Sequence, residues 1–303
     1  MKKEFIILDT DIGDDIDDAF ALNLLLSRNE VELVGITTTY KNTEQRARII
    51  KKLLLLSGAS IPVYAGEDHP LANKIILRKE EHFEADGSVR IDHYSPEYDN
   101  LEFEGRDAPE FILKTIAERD GEITLVGIGP LTNFAIAYLT DKQTFLRAKR
   151  LLIMGGCVGT RKMEWNLLVD PLAAKIVLES GIDISIVPLD VTEQVVFDDK
   201  AIACVRGAKG ACAREICAMM EKWIALNNPD GVLKKYPTMH DPLAVSTLWS
   251  DVCRFEKMHL RFPLYGDGKN CTLPDPNGNI CAMVATQVDR DKFFQGFLKN
   301  FKD

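Results

Sequence analysis

No CxxC pair occurs among the seven cysteines of this 303-residue sequence. The widest hint of a knuckle, Cys212 and Cys217, has the wrong spacing for one. Reduced, structural thiols in a cytoplasm are the reading that follows. No apolar run approaches the length of a membrane span, so no membrane partner is expected. After Met1-Lys2-Lys3-Glu4 the apolar stretch covers only residues 5–8, too short for a signal peptide. Positive charge is in deficit: 37 lysines and arginines against 46 acidic residues leave a net charge of −9. That argues against tracking a phosphate backbone, so no nucleic-acid partner is expected, and it leaves a small neutral substrate open. A glycine-rich phosphate loop is missing too, since Gly13 stands alone in its loop.

What remains is an ordinary globular composition, 46% apolar and 27% charged. Strand-like runs at residues 5–8, 31–36, 123–128, 151–154 and 184–187 alternate with helix-like runs at 19–26, 42–56, from 132 and after Pro171. This alternation predicts an α/β fold: an open, mainly parallel, Rossmann-like sheet with helices on both faces. Ligands collect at the carboxyl ends of such strands. One domain over residues 1–303 is expected. Residues 68–107 are polar and hold His69, His82 and His93, and they read as an insertion or lid. From Phe255 onward, turn signals around Gly266 and Gly278 predict hairpins at a sheet edge.

The strongest feature is Asp9-Thr10-Asp11-Ile12-Gly13-Asp14-Asp15-Ile16-Asp17-Asp18, with six aspartates in ten residues directly after an apolar strand. Like charges at close range raise one another's proton affinity. A hard divalent cation relieves that repulsion and takes oxygen ligands. Gly13 permits the tight turn, and Asp17 and Asp18 fall where a helix N-terminus favours negative charge. The bland alternative is a solvated acidic turn with a capping aspartate. Far downstream stands His240-Asp241-Pro242-Leu243-Ala244. Pro242 suits the first turn of a helix, Asp241 its N-cap, and His240 an acid or polar contact.

These stretches resemble the inosine-uridine-preferring nucleoside hydrolases, whose acidic loop reads Asp-x-Asp-Pro-Gly-x-Asp-Asp. Further matches follow in order: Thr37 to Asn42, Gly129-Pro130-Leu131-Thr132-Asn133, Met154-Gly155-Gly156, Glu164-Trp165-Asn166 and His240 to Ala244. The resemblance implies calcium-dependent cleavage of the N-glycosidic bond of a ribonucleoside. By position it implies Asp11, Asp18, Asp241 and the Ile128 carbonyl as calcium ligands, with Asp17 as general base. Asn42, Glu164 and Asn166 would bind ribose hydroxyls, and Trp165 would line the pocket. Leaving-group activation is the remaining need, and His240 is the best placed candidate for it. A homodimer or homotetramer is likewise implied. The chemistry is coherent, because carboxylates stabilise the positive charge that glycosidic cleavage builds on a sugar.

Two departures stand out. Ile12 replaces the family proline, and Asp14-Asp15 lengthen the loop, so that Asp17 and Asp18 take the final pair and Asp15 is an additional contact to metal or water. The asparagine the family uses before Glu164 has no match; Arg161 or Lys162 stands nearby and raises a modified sugar or charged substituent. Two other readings keep the scaffold: a metal-dependent phosphohydrolase, which needs a cation for phosphate, and a non-catalytic nucleoside-binding protein, which has no use for Asp17.

Overall fold

The computed structural model describes residues 3–72, 74–77, 81–231 and 235–301. Its strands in chain order are β1 (Glu4–Thr10), β2 (Val31–Thr38), β3 (Val63–Ala65), β4 (His82–Phe83), β5 (Val89–Arg90), β6 (Ile123–Gly127), β7 (Arg150–Met154), β8 (Ile184–Val187), β9 (Cys253–Arg261), β10 (Leu273–Pro274) and β11 (Ile280–Val288). Nine of them form one sheet in the order β10-β9-β11-β8-β7-β6-β1-β2-β3. From β3 to β11 every pairing is parallel. The antiparallel hairpin partners β9 and β10 extend the far edge, as the turn residues predict.

The apolar runs become strands because both faces of the sheet are covered. Along β1, Ile6 and Leu8 belong to one core and Ile7 to the other, the two-residue period of a strand buried on both sides. Helices Asp17–Leu26 and Thr43–Ser57 carry the chain from β1 outward to β2 and β3. Helices Thr132–Thr140 and Pro171–Leu178 carry it from β6 in the opposite direction, to β7 and β8. The strand order therefore reverses between β1 and β6, and the crevice beyond their carboxyl ends is the place such a sheet offers a ligand.

Part of the 68–107 excursion packs on the acidic loop. The His93 amide donates to the Gly13 carbonyl at 2.9 Å, and the Ile91 amide to Gln45 Oε1 at 2.8 Å. Gly13 has φ of 118°, and a Cβ there would stand 2.5 Å from Ile91 Cγ2. Only glycine fits. Trp223 lies in the core, on helix Ala211–Asn227. Trp249 is half-buried against that core, with the Arg28 guanidinium 5.3 Å from its ring. Among the described residues no helix is long and apolar enough to cross a membrane.

Candidate active site

The acidic loop bridges β1 and helix Asp17–Leu26. Ile12 and Ile16 are fully buried and anchor it, leaving the carboxylates between them to face the crevice or its walls. Two cations that sequence reasoning missed also hold it. Arg46, fully buried on helix Thr43–Ser57, donates to the Ile12 carbonyl at 2.8 Å, to the Asp11 carbonyl, and to Asp14 Oδ2 at 3.0 Å. Lys41, equally buried, reaches Asp14 at 3.0 Å and Glu81 at 2.5 Å. Tyr40 and Lys41 have φ of 68° and 60°, an unusual region for side-chain-bearing residues. Asp14 is thereby the partner of two buried cations. The signal for them was charge balance, which the sequence reading assigned to a metal alone.

Beyond the loop, three carboxylates converge. Ligand oxygens of Asp17, Asp18 and Asp241 lie within 4.8 Å of one another, and all three residues are buried. What they receive is neutral: the Thr10 hydroxyl donates to Asp18, and the Asp241 amide to Asp17 Oδ2 at 3.2 Å. Burial first, and then repulsion from neighbouring carboxylates (Asp15 and Asp11 on Asp17, Asp11 and Asp17 on Asp18, Asp17 and Asp18 on Asp241), holds all three well above the usual carboxylate range. Asp241 is not the N-cap the sequence suggests. Met239 holds that position, and Asp241 sits in the first turn of helix His240–Ser246. Asp11 lines the same cavity outside the converging trio; burial raises its pKa to about 6 against the pull of Arg46. Asp15 is exposed at the rim. Behind the loop, burial lifts Asp9 to about 7 although Thr37 and Asn133 donate to it at 2.6 and 2.7 Å.

Across the reversal point, the Ile128 amide donates to the Asp9 carbonyl at 2.9 Å, which joins the ends of β6 and β1. The Ile128 carbonyl accepts from Asn166 Nδ2 at 3.0 Å. A Cβ on Gly129 would stand 2.9 Å from the Asp11 amide nitrogen, so the backbones there approach closely. Glu164 and Asn166 are both in the cavity wall, but not on an extended strand. Glu164 caps helix Trp165–Val169, accepting from the amides of Asn166 and Leu167 at 2.8 and 3.1 Å, and burial raises it to about 7. Trp165, more exposed, lies between them at the cavity surface. Asn42 is not in this cavity. Its side chain caps helix Thr43–Ser57 and donates to Ser88 Oγ at 3.3 Å.

Another part of the wall is organised by the short helix Leu189–Thr192 and the residue after it. Asp190 accepts from the amides of Val158 and Gly159 at 2.7 and 2.8 Å. Thr192 Oγ1 lies 2.8 Å from His240 Nδ1, and Glu193 pairs with Lys162. Burial pushes His240 down to about 4, so its ring is neutral at pH 7. Lys162, Glu193 and His240 line the cavity; Arg161 turns away to Asp267, and His82 and His93 line it nowhere. The cavity, open on one side, has a volume of about 390 Å³.

With this geometry in hand, the comparisons agree with one another. A model of the family described as "Inosine-uridine preferring nucleoside hydrolase" matches residues 6–295. The chain is 30% identical to the pyrimidine-specific ribonucleoside hydrolase RihA of Shewanella over 94% of its own length and 86% of that protein's. It is 32% identical to the probable uridine nucleosidase 2 of rice, over 81% and 74% of the two chains. A solved plant nucleoside hydrolase superposes with a TM-score of 0.82 at 24% identity, covering 99% of each chain, which is a likeness of fold. The chain belongs to the inosine-uridine preferring nucleoside hydrolase family, and its reaction is hydrolysis of the N-glycosidic bond of nucleosides.

Proposed function

We propose that this enzyme cleaves ribonucleosides with calcium bound at the floor of the cavity, and that uridine is among its substrates. The convergence of Asp17, Asp18 and Asp241 at the sheet's reversal point carries the reading. At an effective dielectric of about 20, two unit charges ~5 Å apart repel by roughly 3 kcal/mol. Three buried carboxylates with only neutral donors fit a hard cation with oxygen ligands. The Ile128 carbonyl, which keeps a second lone pair beside Asn166, completes the donor set. When bound, calcium supplies neutralisation of these charges and a lowered proton affinity for water. The relatives' names, a pyrimidine-specific hydrolase and a probable uridine nucleosidase, are the support for uridine.

In this reading two roles that the resemblance implies change places. Asp17 stands among the converging ligands, while Asp11 lines the cavity outside them. Asp11 is therefore the carboxylate that accepts the proton of the attacking water. The Asn166 amide nitrogen is committed to the Ile128 and Met154 carbonyls, which leaves its oxygen to accept from a ribose hydroxyl. Glu164, fixed by backbone amides, presents the second acceptor for vicinal hydroxyls. The buried carboxylates around them stabilise the positive charge that develops on the ring. Seven unpaired cysteines fit a reducing, cytoplasmic setting.

The test is ribose release from inosine, adenosine, guanosine, uridine and cytidine, alongside calcium titration calorimetry, for wild type, Asp11→Asn and Asp17→Asn. Asp11→Asn is expected to hold calcium within a few-fold and lose on the order of 10³-fold in rate. Asp17→Asn is expected to lose calcium affinity first. The reverse pattern would restore Asp17 as the base. No release by calcium-loaded wild type from any nucleoside would sink the proposal.

A further inference from the structure

The cavity segregates charge. Its floor is carboxylate, and among the described residues that line it Lys162 is the one lysine or arginine. Lys162 lines the cavity together with Glu193 and His240 and is not one of the converging trio. Its placement is built from one segment. Asp190 fixes the backbone of Val158 and Gly159, which leads to Lys162, and Glu193 pairs with its ammonium. Between them Thr192 occupies one ring nitrogen of His240, which leaves that ring a single nitrogen for a substrate. The pair is exposed, its side chains 53% and 48% accessible, and in the free enzyme it contributes little. With a nucleoside in the cavity, the same charge acts through less water and counts for more.

We propose that Lys162 is the cation that stabilises the departing base, with Glu193 as its tether, and that the pair selects nucleosides of oxo bases, uracil and the 6-oxopurines. This rests on the nucleoside-hydrolase reading of the site. In the step itself the C–N bond breaks with its electron pair on the base. The water oxygen bonds to C1′, and its proton passes to a carboxylate of the floor. The base leaves as an anion whose charge spreads onto its carbonyl oxygens, against the Lys162 ammonium. It takes a proton from solvent on release, and the carboxylate returns its own proton to solvent. Uracil and 6-oxopurines offer a carbonyl acceptor to the lysine beside an N–H for Glu193. Cytosine and adenine place an amino donor at the carbonyl's position, where an ammonium with three donors and no acceptor repels it.

The experiment compares kcat/KM for uridine, inosine, cytidine and p-nitrophenyl β-D-ribofuranoside in the calcium-loaded enzyme. Nitrophenolate leaves as a stable anion and needs no cation, so it reports folding, sugar binding and the water attack alone. In Lys162→Met the ratio of uridine or inosine to the nitrophenyl riboside is expected to fall on the order of 10²-fold. Lys162→Arg keeps a charge there and is expected to recover all but about 10-fold of that ratio. Glu193→Gln, which loosens the tether, should fall between wild type and Lys162→Met. An unchanged ratio in Lys162→Met, whether both substrates fall together or neither does, overturns the inference. So does a wild type that prefers cytidine to uridine. Failure of wild type to cleave even the nitrophenyl riboside would overturn the reading beneath it as well, and the two failures are thereby told apart.

Discussion

Stripping calcium is expected to weaken the protein, and to weaken it more as the pH rises. Burial holds Asp9 and Glu164 at about 7, against ordinary values of 3.8 and 4.5, and Asp11 at about 6. Asp17, Asp18 and Asp241 are raised well above their ordinary value by burial and by neighbouring carboxylates. A carboxyl group with a raised folded pKa binds its proton better folded than unfolded. The stability this lends is complete below the unfolded pKa and is lost as pH rises through the folded one. Between 3.8 and about 7, Asp9 alone accounts for on the order of 4 kcal/mol of that loss. Calcium should offset the repulsion that remains at high pH. At free calcium about 1,000 times Kd the gain is about 4 kcal/mol, or roughly 5 to 10 °C in Tm for a chain of this size. Thermal unfolding at pH 6, 7 and 8, with EDTA or with calcium, checks this. The calcium-free Tm should fall from pH 6 to 8, the loaded Tm should stay nearly level, and the gap should be widest at pH 8. A gap that is absent, or equal at all three pH values, would refute the claim that unrelieved carboxylates set the metal dependence.

Two further substitutions separate support of the site from chemistry. Arg46→Met removes one of two buried cations from Asp14 and three donors from loop and strand-end carbonyls, and should lower unfolding free energy by about 3 kcal/mol, read by urea titration. Asn42→Ala removes a helix cap outside the cavity: a loss of about 1 kcal/mol is expected, with KM for uridine moved less than about twofold. A tenfold rise in that KM would return Asn42 to the ribose site.

The alternation of strands and helices was legible because buried parallel strands are short, mostly apolar runs, and β1, β6 and β8 carry such runs, interrupted only by Thr124 in β6 and Ser185 in β8. The acidic loop was legible because six aspartates beside a core strand demand positive charge. That part of the charge comes from Lys41 and Arg46 was not, since nothing in one dimension says that a lysine between two helix-flanking residues is buried. Glu164 misled for a local reason. Glutamate is an uncommon cap, so Glu164-Trp165-Asn166 reads as an extended triplet, whereas its carboxylate starts a short helix. Asn42 carried two meanings, cap and ligand, and only packing distinguishes them. The roles of Asp190, Thr192 and Glu193 depend on a tertiary contact with residues 158–162 and 240, which no spacing encodes.

The hydrogen bond from the Asp241 amide to the Asp17 carboxylate joins residues 224 positions apart. During synthesis the first strand and its acidic loop leave the ribosome long before the segment that completes the trio. At about 5–20 residues per second that interval is tens of seconds. Through it, Asp17 and Asp18 have the other carboxylates of their loop but not Asp241, so the trio is incomplete. The proposed cation site is therefore a late product of folding, complete only when helix His240–Ser246 docks beside helix Asp17–Leu26.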